Sequence, residues 1–235
     1  MPFIVITGRG NEAIAIEMMK LGAQDYIVKG TNVMNDLPTI IKRTINKLTL
    51  ESKLEASEKA LKNRVEELSA LHMLSRKIGT NLELKCMVNA ALEGIVSIIN
   101  PDMTLLFNRY KENLLLLGIK ANTLKYQHTE TKTHYVGECL CGLAVSSGMS
   151  VYSKDIFSDS RCTWEECKKA GLKSFAALPL IINGEIIGVL GLASGTETDF
   201  EERDSFLETL AGQVAIGLEN ARLYEQVKEK LIKSC

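Results

Sequence analysis

Neither sign of charge is in surplus in this chain: 28 Lys plus Arg stand against 29 Asp plus Glu, a formal charge of -1. Without a basic excess there is no general electrostatic pull toward nucleic acid or an anionic membrane, and neither is expected as a partner. The apolar run at the amino terminus, MPFIVITGRG, has no basic segment ahead of it and no small-residue cleavage signal, which argues against a secretory leader. Long unbroken apolar runs are missing too. The longest, Ser174 to Ser194, is interrupted by Pro179, Asn183, Gly184 and Glu185 and does not read as a spanning helix. A cytoplasmic location is therefore expected. There is no nucleotide-binding glycine loop, no Ser-His-Asp set and no kinase motif, so a catalytic role is not expected. What remains, 46% hydrophobic and 24% charged residues, is ordinary for a globular chain with room for one large or two small domains.

Four of the six cysteines lie in one stretch, GECLCGLAVSSGMSVYSKDIFSDSRCTWEECKKAG, from Gly137 to Gly171. Cys139 and Cys141 flank a single leucine. Cys162 and Cys167 flank a segment with Thr163 followed three residues later by Glu166, the spacing of a capping box. With Thr163 as N-cap, Cys162 falls at N′ and Cys167 at N4, so their side chains are expected to meet. In a reducing compartment clustered thiols point to metal or redox chemistry before structural disulfides. Three readings stay open. Four thiolates suit a shared zinc ion or iron–sulfur cluster; a thiol–disulfide sensor fits Cys162, placed where a helix N-terminus would lower its pKa; or all four are reduced core thiols. Cys86 is expected to be a small apolar filler, and His128 and His134, in a polar segment, to be surface residues.

In chain order, Phe3 to Ile6 reads as a strand, Asn11 to Leu21 as a helix stopped by Gly22, and Tyr26 to Val28 as a second strand, with another helix from near Asp36. Such alternation implies parallel strands. From Asn46 to Ile78 there is neither Pro nor Gly, and Leu54, Leu61 and Leu68 share one heptad position while Leu50, Ser57, Arg64, Leu71 and Ile78 share the other. Residues Lys47 to Ile78 are expected to pair as a parallel coiled coil in a homodimer. Leu82 to Ile99 follows as a helix. Thr104 to Tyr110 and Leu114 to Ala121 form a hairpin, then come a short helix at Leu143 to Ser147 and a strand at Met149 to Ser153. Ser174 to Ile182 and Glu185 to Ala193 flank Asn183-Gly184, the strongest short hairpin signal, and are apolar enough for central strands covered on both faces. Phe200 to Leu231 closes the chain as a helix, in which Leu207, Leu210, Val214, Gly217, Ala221, Tyr224 and Leu231 mark a second expected dimer seam.

Two resemblances rest on these residues. Residues 2–46 resemble the end of a response-regulator receiver domain, with Thr7 closing its fourth strand and Lys29 its fifth; that implies contact with a phosphoryl group, but the acceptor Asp is absent and Gly30 replaces the usual Pro. No phosphotransfer is expected of such a remnant. The runs GECLCGLAVSSGMSVYSKDI, SFAALPLIINGEIIGVLGLAS and DFEERDSFLETLAGQVAIGLENARLYEQV resemble a GAF domain over about residues 68–228. That family implies an antiparallel sheet with helices on one face and a pocket on the other, used for small molecules, chromophores, haem, metal clusters or none. No Cys-His dipeptide supports a bilin. The expected class is α+β, a GAF-like antiparallel sheet with flanking helices, organised as a receiver-like remnant at 1–46, a coiled-coil helix at 47–78, the GAF domain at 79–228 and a tail at 229–235. The implied function is a sensory module of two-component signalling, acting with a partner such as a histidine kinase. The alternatives are a methionine-sulfoxide-reductase-like GAF enzyme, with Cys139, Cys141 or Cys162 as nucleophile, and a structural dimerisation adaptor.

Overall fold

The computed structural model describes residues 2–8, 12–29, 33–122 and 134–233. The chain divides into two compact units, Met1–Val65 and Glu66–Cys235. In the first, β1 (Phe3–Thr7) and β2 (Ala23–Val28) pair in parallel with α1 (Glu12–Lys20) between them, the strand–helix–strand order expected. Lys29 donates its backbone N–H to the Thr7 carbonyl at 2.7 Å, so the two residues share one end of the sheet. A single helix, α2 (Val33–Gly79), then runs through Pro38 and takes in both the helix expected from near Asp36 and the run from Asn46 to Ile78.

The second unit is built on a six-stranded antiparallel sheet. Its elements are α3 (Leu84–Ile99), β3 (Met103–Tyr110), β4 (Asn113–Ala121), β5 (His134–Tyr135), α4 (Cys139–Ser147), β6 (Val151–Ser153), α5 (Glu165–Lys169), β7 (Ser174–Ile182), β8 (Glu185–Ser194) and α6 (Asp204–Lys233). The strand order is β5-β4-β3-β8-β7-β6. Asn183 and Gly184 turn the β7–β8 hairpin with φ of 50° and 84°, the paired positive values that match the twist of adjoining strands. Both arms are buried along most of their length because both faces of the sheet are covered. On one face Leu106, Ala176, Leu178, Leu190 and Leu192 pack under α3 and α6. On the other, Leu105, Phe107, Phe175, Ala177 and Val189 pack under α4 and α5 together with Cys139, Cys141, Cys162 and Cys167.

Both expected dimer seams are corrected in part. Leu71, Leu74 and Ile78 of α2 pack into the core with α3 and α6, so only Leu50, Leu54, Leu61 and Leu68 leave an exposed apolar stripe. A heptad and a core-facing helix face share nearly the same period, which is why the sequence does not separate them. On α6, Leu207, Leu210, Val214 and Ala221 are fully buried in their own domain. Gly217 admits no side chain because a Cβ there would meet Ile78 Cγ2 at 2.1 Å. The small residues bring α2 against α6 within one chain. Cys86 is exposed on α3 and fills no core space, since the buried side of that helix is taken by Met87, Val88, Ala91 and Leu92.

Candidate functional site: a buried four-cysteine cluster

The helix holding the first cysteine pair begins earlier than its sequence suggests. Gly137, at φ 85°, donates its N–H to Gly142 O at 2.8 Å, and Gly142 donates to Glu138 O at 3.0 Å. A Cβ at Gly142 would meet the Tyr135 carbonyl oxygen at 2.3 Å, so this tight closure needs glycine there. It carries Cys139 into the left-handed region at φ 58°, an uncommon conformation for a residue with a β-carbon. Cys139 and Cys141 thus open α4, four residues before the helix expected at Leu143.

The second pair comes in from the loop after β6. Cys162 donates its N–H to Asp159 O at 3.0 Å. Asp159 is fixed by Arg161, whose Nη2 lies 2.8 Å from Oδ2, and the guanidinium drives its carboxyl down to about 2. The expected capping box does not form: α5 starts at Glu165, its N-cap is Trp164 in extended geometry, and no side chain caps it. Trp164 is held out of the helix by two contacts. Its ring stacks on His134 at 3.5 Å between centroids, and its backbone N–H donates to the sulfur of Cys139.

Four donors surround the sulfur of Cys139. They are the backbone N–H groups of Leu140, Cys141 and Trp164 and the Cys162 thiol. Led by that thiol, they outweigh burial and lower the Cys139 pKa to about 7. Cys162 moves the opposite way, because its own proton is held in the hydrogen bond to the Cys139 sulfur and it is itself buried. The acidified thiol is therefore Cys139 and not Cys162, the one whose pKa a helix start is expected from the sequence to lower. Burial raises Cys141, and it raises Cys167 to about 12. Each of these two also feels the charge of Cys139. Their mutual influence places all four sulfurs in one neighbourhood.

His134 is the residue at this site to which the sequence does not point. It is only 9% exposed, packed between Trp164 and Phe107, and burial holds it neutral, down to about 4 despite the nearby Glu166. Its Nδ1 is buried without a hydrogen-bond partner among the described residues. Polarity of the sequence around it suggests the surface, but pairing of β5 with Leu114 of β4 turns this one residue inward. His128 lies outside the described residues.

Residues 82–219, more than half of the chain, match the family described as GAF domain. The chain belongs to the GAF domain family. Solved structures agree on the fold. The GAF domain from a phosphoenolpyruvate-protein phosphotransferase of Coxiella burnetii has a TM-score of 0.61 at 20% identity, covering 70% of this chain and 99% of that one. The corresponding Acinetobacter domain gives 0.57 at 18%, covering 68% and 97%. A free methionine-R-sulfoxide reductase from Neisseria meningitidis, solved with its substrate, gives 0.58 at 16%, covering 67% and 90%. No curated protein sequence matches the chain.

Within this GAF domain the cysteines sit on the sheet face opposite α3 and α6, inside a packed apolar layer. Cys139 is 6% and Cys162 4% exposed. The expected ion or cluster would need ligands converging on one point. Among the described residues no three His, Cys, Asp or Glu side chains are arranged to hold a metal ion. Thr7 and Lys29 belong to the other unit, where they lie together at the sheet end. Among the described residues no helix is long and apolar enough to cross a membrane.

Proposed function

We propose that this chain is a regulatory GAF module that reads thiol redox state at Cys139 and Cys162 and passes it on through its flanking helices. The observation that carries this reading is the single contact in which the Cys162 thiol donates to the sulfur of Cys139, beside three backbone N–H groups. A thiolate with a second thiol already against it is the reduced half of a disulfide couple. Forming that bond ties α4 to the loop before α5 across the sheet face that also carries β7 and β8. The opposite face of those strands packs on α2 and α6, which gives a mechanical route outward.

The exposed stripe Leu50, Leu54, Leu61 and Leu68 supports a second copy as the partner on α2, paired in parallel. Thr7 and Lys29 at the strand ends of the first unit are consistent with a receiver remnant, and with it a two-component setting and a histidine kinase partner. Diamide oxidation of the full chain, with disulfide mapping by mass spectrometry and deuterium exchange along α2 and α6, tests the reading. A Cys139–Cys162 bond together with altered exchange is expected; no such bond defeats it.

A second reading is favoured by the same thiolate and by fold likeness to the Neisseria reductase. There Cys139 would attack the sulfoxide of free methionine. Turnover of free methionine sulfoxide with a thioredoxin system decides for it, and its absence decides for the sensor. A zinc ion or iron–sulfur cluster on the four cysteines is the remaining proposal, and anaerobic purification with an optical spectrum and elemental analysis decides that one.

A further inference from the structure

We propose that the outward side of α6 is a self-association surface, on which a second copy of this chain lays the same helix, parallel and in register. The helix is apolar on two sides. Leu207, Leu210, Val214 and Ala221 point into the core, and the 3.6-residue period puts Ile216, Leu223 and Val227 on the opposite side, each about half exposed. A helix serving only its own domain is polar there. Ile216, Leu223 and Val227, with Tyr224 and Leu231 at their edge, are between 40% and 64% exposed. For side chains of this size that leaves on the order of 500 Å² of apolar surface in water, at the upper end for the largest patch on a monomer. The stems of the flanking Glu219, Asn220 and Gln226 bring the total toward the roughly 800 Å² per partner that a stable interface covers.

The order of residues along the stripe selects its occupant. Ile216 and Leu223 take d positions of a heptad, and Asn220 and Val227 take a positions. A β-branched residue at a with leucine at d favours two parallel strands, and one asparagine at a fixes their register, because each amide finds its match only opposite its own twin. The stripe is thus complementary to itself across a twofold axis. Lys230, at the next d position, ends the seam by setting like charges face to face. Gly212 lies one turn ahead of Ile216 on the same side. A Cβ there would meet nothing within 4 Å among the described residues, so the chain's own packing does not call for a glycine that weakens the helix interior. Room for an approaching helix does. Every residue of this surface lies on α6, and it stands apart from both the redox reading and the α2 stripe. The two helices nevertheless run the same way, since Ser75 donates to Gln213 Oε1 and, one turn further along both, Ile78 packs on Gly217. A parallel partner on α6 therefore imposes the same parallel axis on this part of α2.

Light scattering of the full chain at micromolar concentration reads the pairing, with Val227→Lys and Leu61→Lys beside the wild type. The wild type is expected to be a dimer. Val227→Lys puts a charge at a half-exposed seam position and should halve the mass while leaving the far-UV spectrum unchanged. In a second arm, Asn220→Cys treated with diamide is expected to link to its counterpart, seen by mass spectrometry as the peptide around position 220 joined to itself. Glu225→Cys, on the far side of the helix, should give only a small fraction of that yield. If Val227→Lys fails to fold, the link at position 220 decides alone. A monomeric wild type overturns the inference and leaves the stripe to a helix of another protein. A dimer that Leu61→Lys dissociates and Val227→Lys does not overturns it as well, confining the pairing to α2. Equal linking at positions 220 and 225 also overturns it.

Discussion

The Cys162 thiol donates to the sulfur of Cys139, and this one contact gives two chemically identical side chains opposite acid–base characters. One becomes a thiolate near neutrality and the other keeps its proton. Alkylation of Cys139 by a small reagent should therefore rise with pH through a midpoint of about 7. Replacing Cys162 with Ala removes a donor and should move that midpoint upward. An unchanged midpoint, read by mass spectrometry of the modified peptide, would show that the backbone donors alone acidify Cys139.

His134 predicts an acid-labile fold. Its folded pKa, about 4, lies below the ordinary value, so the unfolded chain takes up the proton first as pH falls. The stability it contributes is fully present above about pH 6.5 and is lost progressively as pH drops through about 4, by up to about 3 kcal/mol. His134→Phe should flatten that part of the profile in urea titrations between pH 7 and 4. A variant with the wild-type slope would place the acid sensitivity elsewhere.

Gly217 should tolerate no Cβ. An alanine there would meet Ile78 Cγ2 at 2.1 Å, and Ile78 is itself buried against Met87 and α6. Gly217→Ala is expected to cost about 1–3 kcal/mol by overpacking, and Leu74→Ala on the neighbouring turn about 2–5 kcal/mol by leaving a cavity. Urea midpoints report both, and a Gly217→Ala chain as stable as wild type would refute the close approach.

Leu61 is 66% exposed, so Leu61→Lys should leave the stability of the fold within about 0.5 kcal/mol while weakening any α2 pairing. Light scattering at micromolar concentration should show a dimer for the wild type and a shift toward monomer for the variant. A wild type that is monomeric throughout would remove the pairing proposal.

The GAF unit should stand without the first unit's sheet. Deleting residues 1–40 removes β1, α1 and β2 and leaves every residue of both core layers in place. The truncated chain is expected to keep a cooperative thermal transition; loss of it would mean that the GAF domain depends on the first unit.

Legibility followed the range of the forces involved. Asn183-Gly184 and the apolar arms on either side are local signals, and they locate the central hairpin to within one residue. The run without Pro or Gly before Ile78 likewise announces a long helix, but its heptad does not reveal that Leu71 and Ile78 face the chain's own core. Gly217 and Ala221 are ambiguous for the same reason, since a close neighbour within the chain needs the same small side chains as a partner does. At the site, the capping spacing of Thr163 and Glu166 loses to Trp164, whose stacking on His134 joins residues far apart in sequence. The acidified sulfur is hidden most fully. Its donors come from both sides of the cluster, and only the closed sheet assembles them.

Trp164 is the single tryptophan of the chain, and it lies against a neutral imidazole while its own amide touches the reactive sulfur. All indole emission from this protein therefore arises at one place. A charged imidazole quenches a stacked indole where a neutral one does so weakly, so native-state fluorescence should dim as His134 takes up its proton near pH 4. Oxidation of Cys139 would alter the same light without any added dye, which makes the cluster observable in dilute solution and in real time.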